Sequence, residues 1–307
     1  MSAKAKCDSV LMVGFGGPTR ADEVRPFLDN VLRGRPVPRE RYEAVVHHYE
    51  LLGGASPYNE LTMRQADALR AELARKSIDA PVAVGMRNWN PYVADSFRAL
   101  AEKGSRRVLA FILAPHRSEA SFERYQQTVR DAEIELGESA PEVVYPEPWH
   151  DHPLFIKAVA SRTREAFVRL DASERSRASL VFTAHSIPVA MADAGRYVDQ
   201  LSESARMVAD ELSVGAWQFA YQSRSGSPRD QWLEPDVNET IRNLASDVAI
   251  VVPIGFLCDH VEVLYDLDIA AVQTAHEMGI RIERAPTVGD HPLFIEMMAS
   301  IVRGHFC

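Results

Sequence analysis

The chain has 307 residues, 46% of them apolar and 25% charged, which is the composition of a soluble globular protein able to bury one large core or two modest ones. Lys and Arg number 34 against 43 Asp and Glu, a net charge of −9, so a general electrostatic footprint for nucleic acid is missing. The one dense basic run, Arg33, Arg35, Arg39 and Arg41, is interrupted by Glu40 and Glu43 and reads as a solvated helix face.

Met1 to Ser9 carries lysines and runs into a short apolar segment without a small-residue cleavage site, and no stretch of 18 apolar residues follows anywhere. The expectation is a cytoplasmic chain with no integral membrane association. "SVLMVGF" is the first predicted strand and ends in "GFGGP", residues 14–18. That stretch lacks GxGxxG spacing, and no acid ends the next strand, so it does not support dinucleotide binding. Its glycines instead allow a flat ligand to approach the backbone beside Phe15. "PVAVGMR" and "RRVLAFILAP" are the next strands, with the helix pattern "MRQADALRAELAR" ahead of them. "ASLVFTAHS", "WQFAYQSR" and "DVAIVVPIGF" follow, with "SESARMVADEL" as a helix between the first two. Near-continuous apolar strands separated by helices predict an α/β fold with parallel sheets covered on both faces.

The sequence also repeats. "DHPLFIKAVAS" at 151–161 recurs as "DHPLFIEMMAS" at 290–300, and Pro115 matches Pro253 at nearly the same offset. Two α/β halves of similar topology are expected, 1–150 and 151–307. Each Asp-His-Pro reads as a helix start, with the aspartate as N-cap and proline in the first turn, rather than as a ligand role for His152 or His291. Gly16 to Pro115 spans 99 residues and Ala184 to Pro253 spans 69, so the first half carries an insertion, placed at about 24–60. It follows the carboxyl end of the first strand, where open α/β sheets bind ligands, and reads either as a lip over such a site or as decoration.

Two stretches offer chemistry. In "FTAHSIP" a histidine, His185, stands where a buried strand ends, and its near-neutral pKa suits proton exchange. After "AIVVPIGFL" come Asp259, His260, Glu262, Asp266 and Asp268. A helix opening at Val261 would put Glu262 and Asp266 one turn apart on one face, with Asp259 at the N-cap. Carboxylates with imidazole suit a divalent first-row metal such as Fe²⁺, whereas Cys7, Cys258 and Cys307 lie too far apart for a cysteine-held cluster. The bland alternative is a charged first turn that complements the helix dipole.

With these motifs in view the chain resembles the ferrochelatases, which insert Fe²⁺ into a porphyrin in haem biosynthesis. The resemblance runs through "GFGGP", "YELLGGASPYNELT", "GMRNWNP", "FTAHSIP", "YQSRSG", "WLEP" and "PIGFLCDHVEVLYDLD", a family unit of 8–303. It implies two Rossmann-like halves facing a porphyrin cleft and a lyase that forms metal–nitrogen bonds. His185 and Glu262 fall at the positions of the essential histidine and glutamate, as catalytic and metal-contacting residues, with Asp266 and Asp268 as an approach path for iron. Phe15, His48, Tyr49, Ser56, Arg87 and Tyr125 fall at or near positions that contact the macrocycle and its propionates. Phe15 stands where some relatives carry a tyrosine, Leu32 where some carry an arginine and Ala270 where some carry an acid.

The implied substrates are Fe²⁺ and coproporphyrin III, favoured because the inserted segment is rich in propionate donors, with protoporphyrin IX as the alternative. No cofactor and no iron–sulfur cluster is expected, nor nucleic acid, and the expected state is a monomer. Two competing readings remain: a cobalt or nickel tetrapyrrole chelatase, and a tetrapyrrole or iron carrier that performs no insertion.

Overall fold

Short runs of Val, Ile, Leu and Ala without polar alternation are stable as strands only where both faces are covered. A computed structural model describes residues 6–225 and 230–306 and places those runs in two four-stranded parallel sheets. Gly226, which closes the "YQSRSG" motif, and Cys307 lie outside the described residues.

The chain divides into two compact units. The first takes the residues up to Leu113, then 122–148 and the segment from Asp290; the second takes 114–121 and Trp149–Gly289. In the first, β1 (Ser9–Gly14), β2 (Val82–Met86), β3 (Arg107–Ile112) and β4 (Glu142–Val144) run in the order β2-β1-β3-β4. In the second, β5 (Ser179–His185), β6 (Trp217–Gln222), β7 (Val248–Val252) and β8 (Arg281–Arg284) run in the order β6-β5-β7-β8. The two orders are the same, as the internal repeat predicts. Each sheet reverses its direction of growth beside its first strand, between β1 and β3 and between β5 and β7, and such a reversal opens a crevice at the strands' carboxyl ends.

The cores are the strands themselves. Val10, Leu11, Met12 and Val13 in the first unit and Val181, Phe182, Ala249, Ile250 and Val251 in the second are shielded completely from water. Burial of each larger side chain contributes about 1.5–3 kcal/mol. Between β1 and β2 the chain forms three helices, Val24–Leu32, Arg39–Leu51 and Tyr58–Arg75, where the second unit has Val189–Asp193 and Tyr197–Leu212 between β5 and β6. The extra length of the first half is therefore helical.

Two local features differ from the sequence reading. The segment after Asp290, assigned by the repeat to the second half, lies with the first unit. Its helix Pro292–Phe306 packs on Tyr58–Arg75 and buries Phe294, Met297, Met298 and Val302. The helix starts at 151 and 290 are capped by the histidine and not by the aspartate: the backbone N–H of Leu154 donates to His152 Nδ1, and that of Leu293 to His291 Nδ1, both at 3.2 Å. Proline at the first helical position lets the ring fold over the open turn.

Phe182 is fully buried in β5 and meets the Trp217 ring edge-on with centroids 5.6 Å apart. Phe182→Ala is expected to lower the unfolding free energy by about 3–5 kcal/mol in denaturant titration. A loss under about 1 kcal/mol would show that this core relaxes around the cavity.

Candidate active site

His185 is the last residue of β5 and pairs in register with Gln222, the last of β6. Its Nδ1–H donates to the adjacent Ser186 carbonyl, which fixes the ring and turns Nε2 toward Glu262. The His185 carbonyl accepts from the buried Tyr197 hydroxyl at 3.0 Å, so backbone and ring are both held. Glu262 lies in the first turn of the short helix Val261–Tyr265 that follows β7, and its carbonyl accepts from Gln222 Nε2 at 2.9 Å. His185 Nε2 and Glu262 Oε1 stand 3.7 Å apart, with side chains 28% and 37% exposed. The second Glu262 oxygen, Oε2, lies 3.4 Å from His260 Nε2.

The charges follow from that geometry. Burial draws His185 toward its neutral form, but the Glu262 charge and hydrogen bond, the Ser186 carbonyl and Asp266 together outweigh it and raise its pKa above the ordinary imidazole value. Burial likewise disfavours the Glu262 carboxylate, yet His185 and His260 hold it well below the usual carboxylate range. Asp266 behaves oppositely. Burial, with the Glu262 charge beside it, pushes its carboxyl up to about 6 against the hydrogen bond it accepts from the Ser223 hydroxyl. Ser223 makes that bond from a left-handed backbone, φ 61°, an uncommon conformation for a side chain other than glycine. Asp266 itself begins a π-helical turn, Asp266–Ala271, a local widening often found where side chains must be re-aimed at a functional site.

Two acids of the cluster are engaged elsewhere. Asp259 does not cap the helix: His260 occupies the N-cap, and Asp259 receives Arg284 Nη1 at 3.2 Å. Asp268 receives Arg284 Nε at 2.6 Å and Nη2 at 2.9 Å. Arg284 ends β8, so one guanidinium neutralises both acids and leaves Glu262 and Asp266 as the carboxylates turned to His185. The sequence signal for this lay in an arginine 16 residues downstream, on a strand too short to stand out. His260 belongs to the cluster the sequence shows, whereas Ser223, Gln222 and Tyr197 join the site because a strand end or helix that only the sheet order brings near places each of them.

The first unit gathers a different set. Phe15 follows β1, its N–H donates to the Tyr58 hydroxyl at 3.0 Å, and its ring meets Phe27 at 6.2 Å. Phe27 also meets Tyr49 at 6.2 Å and Trp89 at 6.1 Å, so an aromatic cluster forms beside the glycine loop. Gly16 has φ 88°, and a Cβ there would come within 3.0 Å of both Met86 and the Trp89 backbone, so this close approach requires glycine. Ser56 is buried against Gly17 and ties its N–H to the Pro18 carbonyl at 2.8 Å. Arg87 follows β2 and donates its N–H to the Gly14 carbonyl at 2.9 Å; its Nε is buried without a partner. Burial, then the neighbouring Arg33 charge, pulls its pKa down to about 10, while Tyr125 favours the cation. Tyr125 is buried on the helix Arg124–Leu136. His48 is half-buried one residue before Tyr49, and burial with Arg41 and His47 pushes its pKa down to about 4.

An imidazole, a fixed carboxylate and a second carboxylate of raised pKa at the switch point of a parallel sheet make a place for a dication. Two repeated four-stranded units of this kind form a chelatase-like fold. The solved structure of SirB from Bacillus subtilis with Fe³⁺ aligns over 97% of this chain and 95% of its own, with TM-score 0.60 at 13% identity. The sirohydrochlorin chelatase SirB in complex with cobalt aligns over 97% and 94%, with TM-score 0.58 at 13% identity. At the level of sequence, the ferrochelatase family model matches residues 7–306, and the chain belongs to that family of iron-inserting enzymes. The ferrochelatase of Rhodopirellula baltica is 43% identical over 99% of this chain and 87% of its own length. The coproporphyrin III ferrochelatase of Mycolicibacterium smegmatis is 39% identical over 96% and 88%. Among the described residues no helix is long and apolar enough to cross a membrane.

The Asp266 carboxyl yields a test of this electrostatic arrangement. Its folded pKa, about 6, lies above the unfolded value of 3.8, so its contribution to stability is present at low pH and lost as pH rises through about 6. Asp266→Asn removes that dependence, so unfolding measured from pH 4 to pH 8 should show the variant gaining on the parent as pH rises. A constant difference would place the titration elsewhere.

Proposed function

We propose that the chain inserts Fe²⁺ into coproporphyrin III to give coproheme, with His185 and Glu262 at the reacting centre and Asp266 as a secondary contact for the cation. The observation that carries the reading is the facing pair, His185 Nε2 and Glu262 Oε1 at 3.7 Å, beside the sheet's switch point. Insertion removes two pyrrole N–H protons and adds one dication, so the site needs a proton acceptor and an anion that stays ionised. Glu262 supplies the anion. His185, with Nδ1–H committed to Ser186, presents Nε2, and against burial the Glu262 and Asp266 charges favour a proton there. A dication at the pair reverses that bias, expels the proton and turns Nε2 into a ligand or base. The reading includes no iron–sulfur cluster, because three cysteines fall short of the four thiolates that common clusters take.

His185→Ala and Glu262→Gln should each lower turnover by at least about 10²-fold while circular dichroism and unfolding stay near the parent's. Asp266→Asn should lower it less, since a carboxylate one turn away guides the cation without reaching the pyrrole nitrogens. Near-normal turnover in either of the first two variants would sink the assignment.

The porphyrin follows from the first unit's chemistry. Half-buried Phe15 offers an aromatic face for a flat ring, with buried Tyr49 packed behind it through Phe27; Ser56, His48 and Tyr125 are polar groups beside it in the same unit, and Arg87 offers a guanidinium whose buried Nε lacks an anion. Arg33 and Arg35 are exposed nearby in sequence, and Arg33 reaches the Arg87 carbonyl at 3.3 Å. Coproporphyrin brings four propionates where protoporphyrin brings two, so it rewards more such donors through charge-assisted bonds. The relatives named coproporphyrin III ferrochelatase support the same choice. Steady-state kinetics on both porphyrins in matched detergent decide it: kcat/KM should be higher for coproporphyrin III, and an equal or higher value for protoporphyrin IX refutes the preference.

A further inference from the structure

The two "DHPLFI" segments begin helices in the same way, yet their aspartates have different surroundings. Because the histidine ring caps each helix, neither aspartate is used as the cap. Asp290 pairs with Arg64 at 2.6 Å. Asp151 has no lysine or arginine partner among the described residues and lies instead with His150 and Glu203: one ring nitrogen and one oxygen from each carboxylate fall within 4.8 Å of one another. The second copy has Gly289 where the first has His150, so this arrangement belongs to one copy alone.

The helix Tyr197–Leu212 holds His150 from two sides. Glu203 Oε2 lies 3.1 Å from His150 Nε2, and the Ser204 hydroxyl donates to the His150 carbonyl at 2.8 Å. With its proton directed there, Ser204 Oγ can only accept from His116 Nε2, at 3.0 Å, so His116 is the Nε2–H tautomer and its Nδ1 is a bare lone pair. Burial, with His150 nearby, keeps His116 neutral. The His150 ring is 7% exposed, and its Nδ1, like that of His116, is buried with no partner among the protein groups. The two rings lie 6.5 Å apart. Two carboxylates therefore share a place with no cationic side chain, beside two imidazole nitrogens with no proton donor. Among the described residues the two Nδ1 atoms are buried without a partner, and buried polar atoms left in that state call for an explanation.

We infer that His150, Asp151 and Glu203 form a cation site in the second unit, separate from His185 and Glu262, that takes a divalent first-row ion such as Zn²⁺ or Co²⁺. A dication balances the two carboxylates, and the imidazole favours a first-row ion over Mg²⁺ or Ca²⁺. Water bound to the ion is the donor that the bare nitrogens want. Ser204 fixes the His150 backbone carbonyl and is itself held by His116, so the segment that carries the ring is anchored to the helix. Glu203 sits six residues after Tyr197 on one helix, about 9 Å along its axis, and Tyr197 is the residue that anchors His185. The site and the candidate active site thus share one rigid element.

Zn²⁺ binding by equilibrium dialysis, with Co²⁺ absorption as a second readout, tests the inference on the full chain. The His185→Ala/Glu262→Gln chain should retain one equivalent of Zn²⁺, and adding Asp151→Asn and Glu203→Gln should weaken that equivalent at least about 10-fold. With His185 and Glu262 intact, Asp151→Asn/Glu203→Gln should bind one equivalent fewer than the parent and should lose one set of Co²⁺ bands. Both carboxylates reach solvent, so these two changes should leave the fold intact, and circular dichroism checks it. No retained equivalent in the first chain, or one that Asp151→Asn and Glu203→Gln leave unchanged, overturns the site.

Discussion

A carboxylate at the rim of a buried sheet loses much of its hydration and stays ionised only where cations or donors replace the water. Glu262 obtains that replacement from His185 on one oxygen and His260 on the other. The rest of the second unit is arranged so that these three side chains keep their places. Ser186 fixes the His185 ring, Tyr197 fixes its carbonyl, and Gln222 fixes the backbone of Glu262. These partners come from the carboxyl ends of β5 and β6 and from the chain after β7, which meet because the sheet order is β6-β5-β7. A slip of one residue in the β5–β6 register would send His185 to the opposite face. Gly255 permits the meeting as well: a Cβ there would lie 2.6 Å from Ala184 Cβ, so glycine lets the chain leaving β7 pass directly against β5.

The same topology carries different chemistry at the ends of its strands in the two units. β1 ends in a glycine loop edged by aromatic rings, with Arg87 at the end of β2. β5 ends in an imidazole, with carboxylates after β7. A planar, carboxylated ligand suits the first set, because rings offer it a face and the guanidinium offers its acids a partner. A dication suits the second. One strand order, present twice, thus carries two kinds of chemistry at its strand ends without a change of fold.

Six of the eight strands, their parallel arrangement and the repeat were legible in the sequence, because fully buried strands are written as unbroken apolar runs such as "VLMV" and "VAIVV", whereas the short, half-exposed edge strands β4 and β8 carry no such run. His185 and Glu262 were legible for a related reason: polar groups directly after such runs stand out. What could not be read were pairings that cross the fold. Asp259, Asp266 and Asp268 look alike in sequence, and their separation into neutralised and available groups depends on Arg284, which arrives on β8. The histidine caps at 152 and 291 were hidden because a local rule favouring aspartate points to the neighbouring residue. The return of the final helix to the first unit was hidden because the repeat and the packing conflict. Similar sequence set Pro292–Phe306 beside its copy at 153, whereas its apolar face is covered by Tyr58–Arg75.

Removal of Asp259 and Asp268 from the cluster changes how a cation would meet the site. Had all four acids been free, mutual repulsion would have raised several pKa values together, and no single carboxylate would have been distinguished. With Arg284 holding two of them, the remaining pair is graded. Asp266, raised to about 6 by burial, holds its proton more tightly than an ordinary carboxyl and exchanges it just below neutral pH, where a dication can displace it. Glu262, kept ionised by two imidazoles, has no proton to displace, while His185, whose pKa Glu262 raises against burial, can share Nε2 with an ion only in its neutral form. In the proposed reaction the two carboxylates therefore meet the cation in different states, a difference set by burial and by the two imidazoles, while Arg284 keeps Asp259 and Asp268 paired and out of the competition.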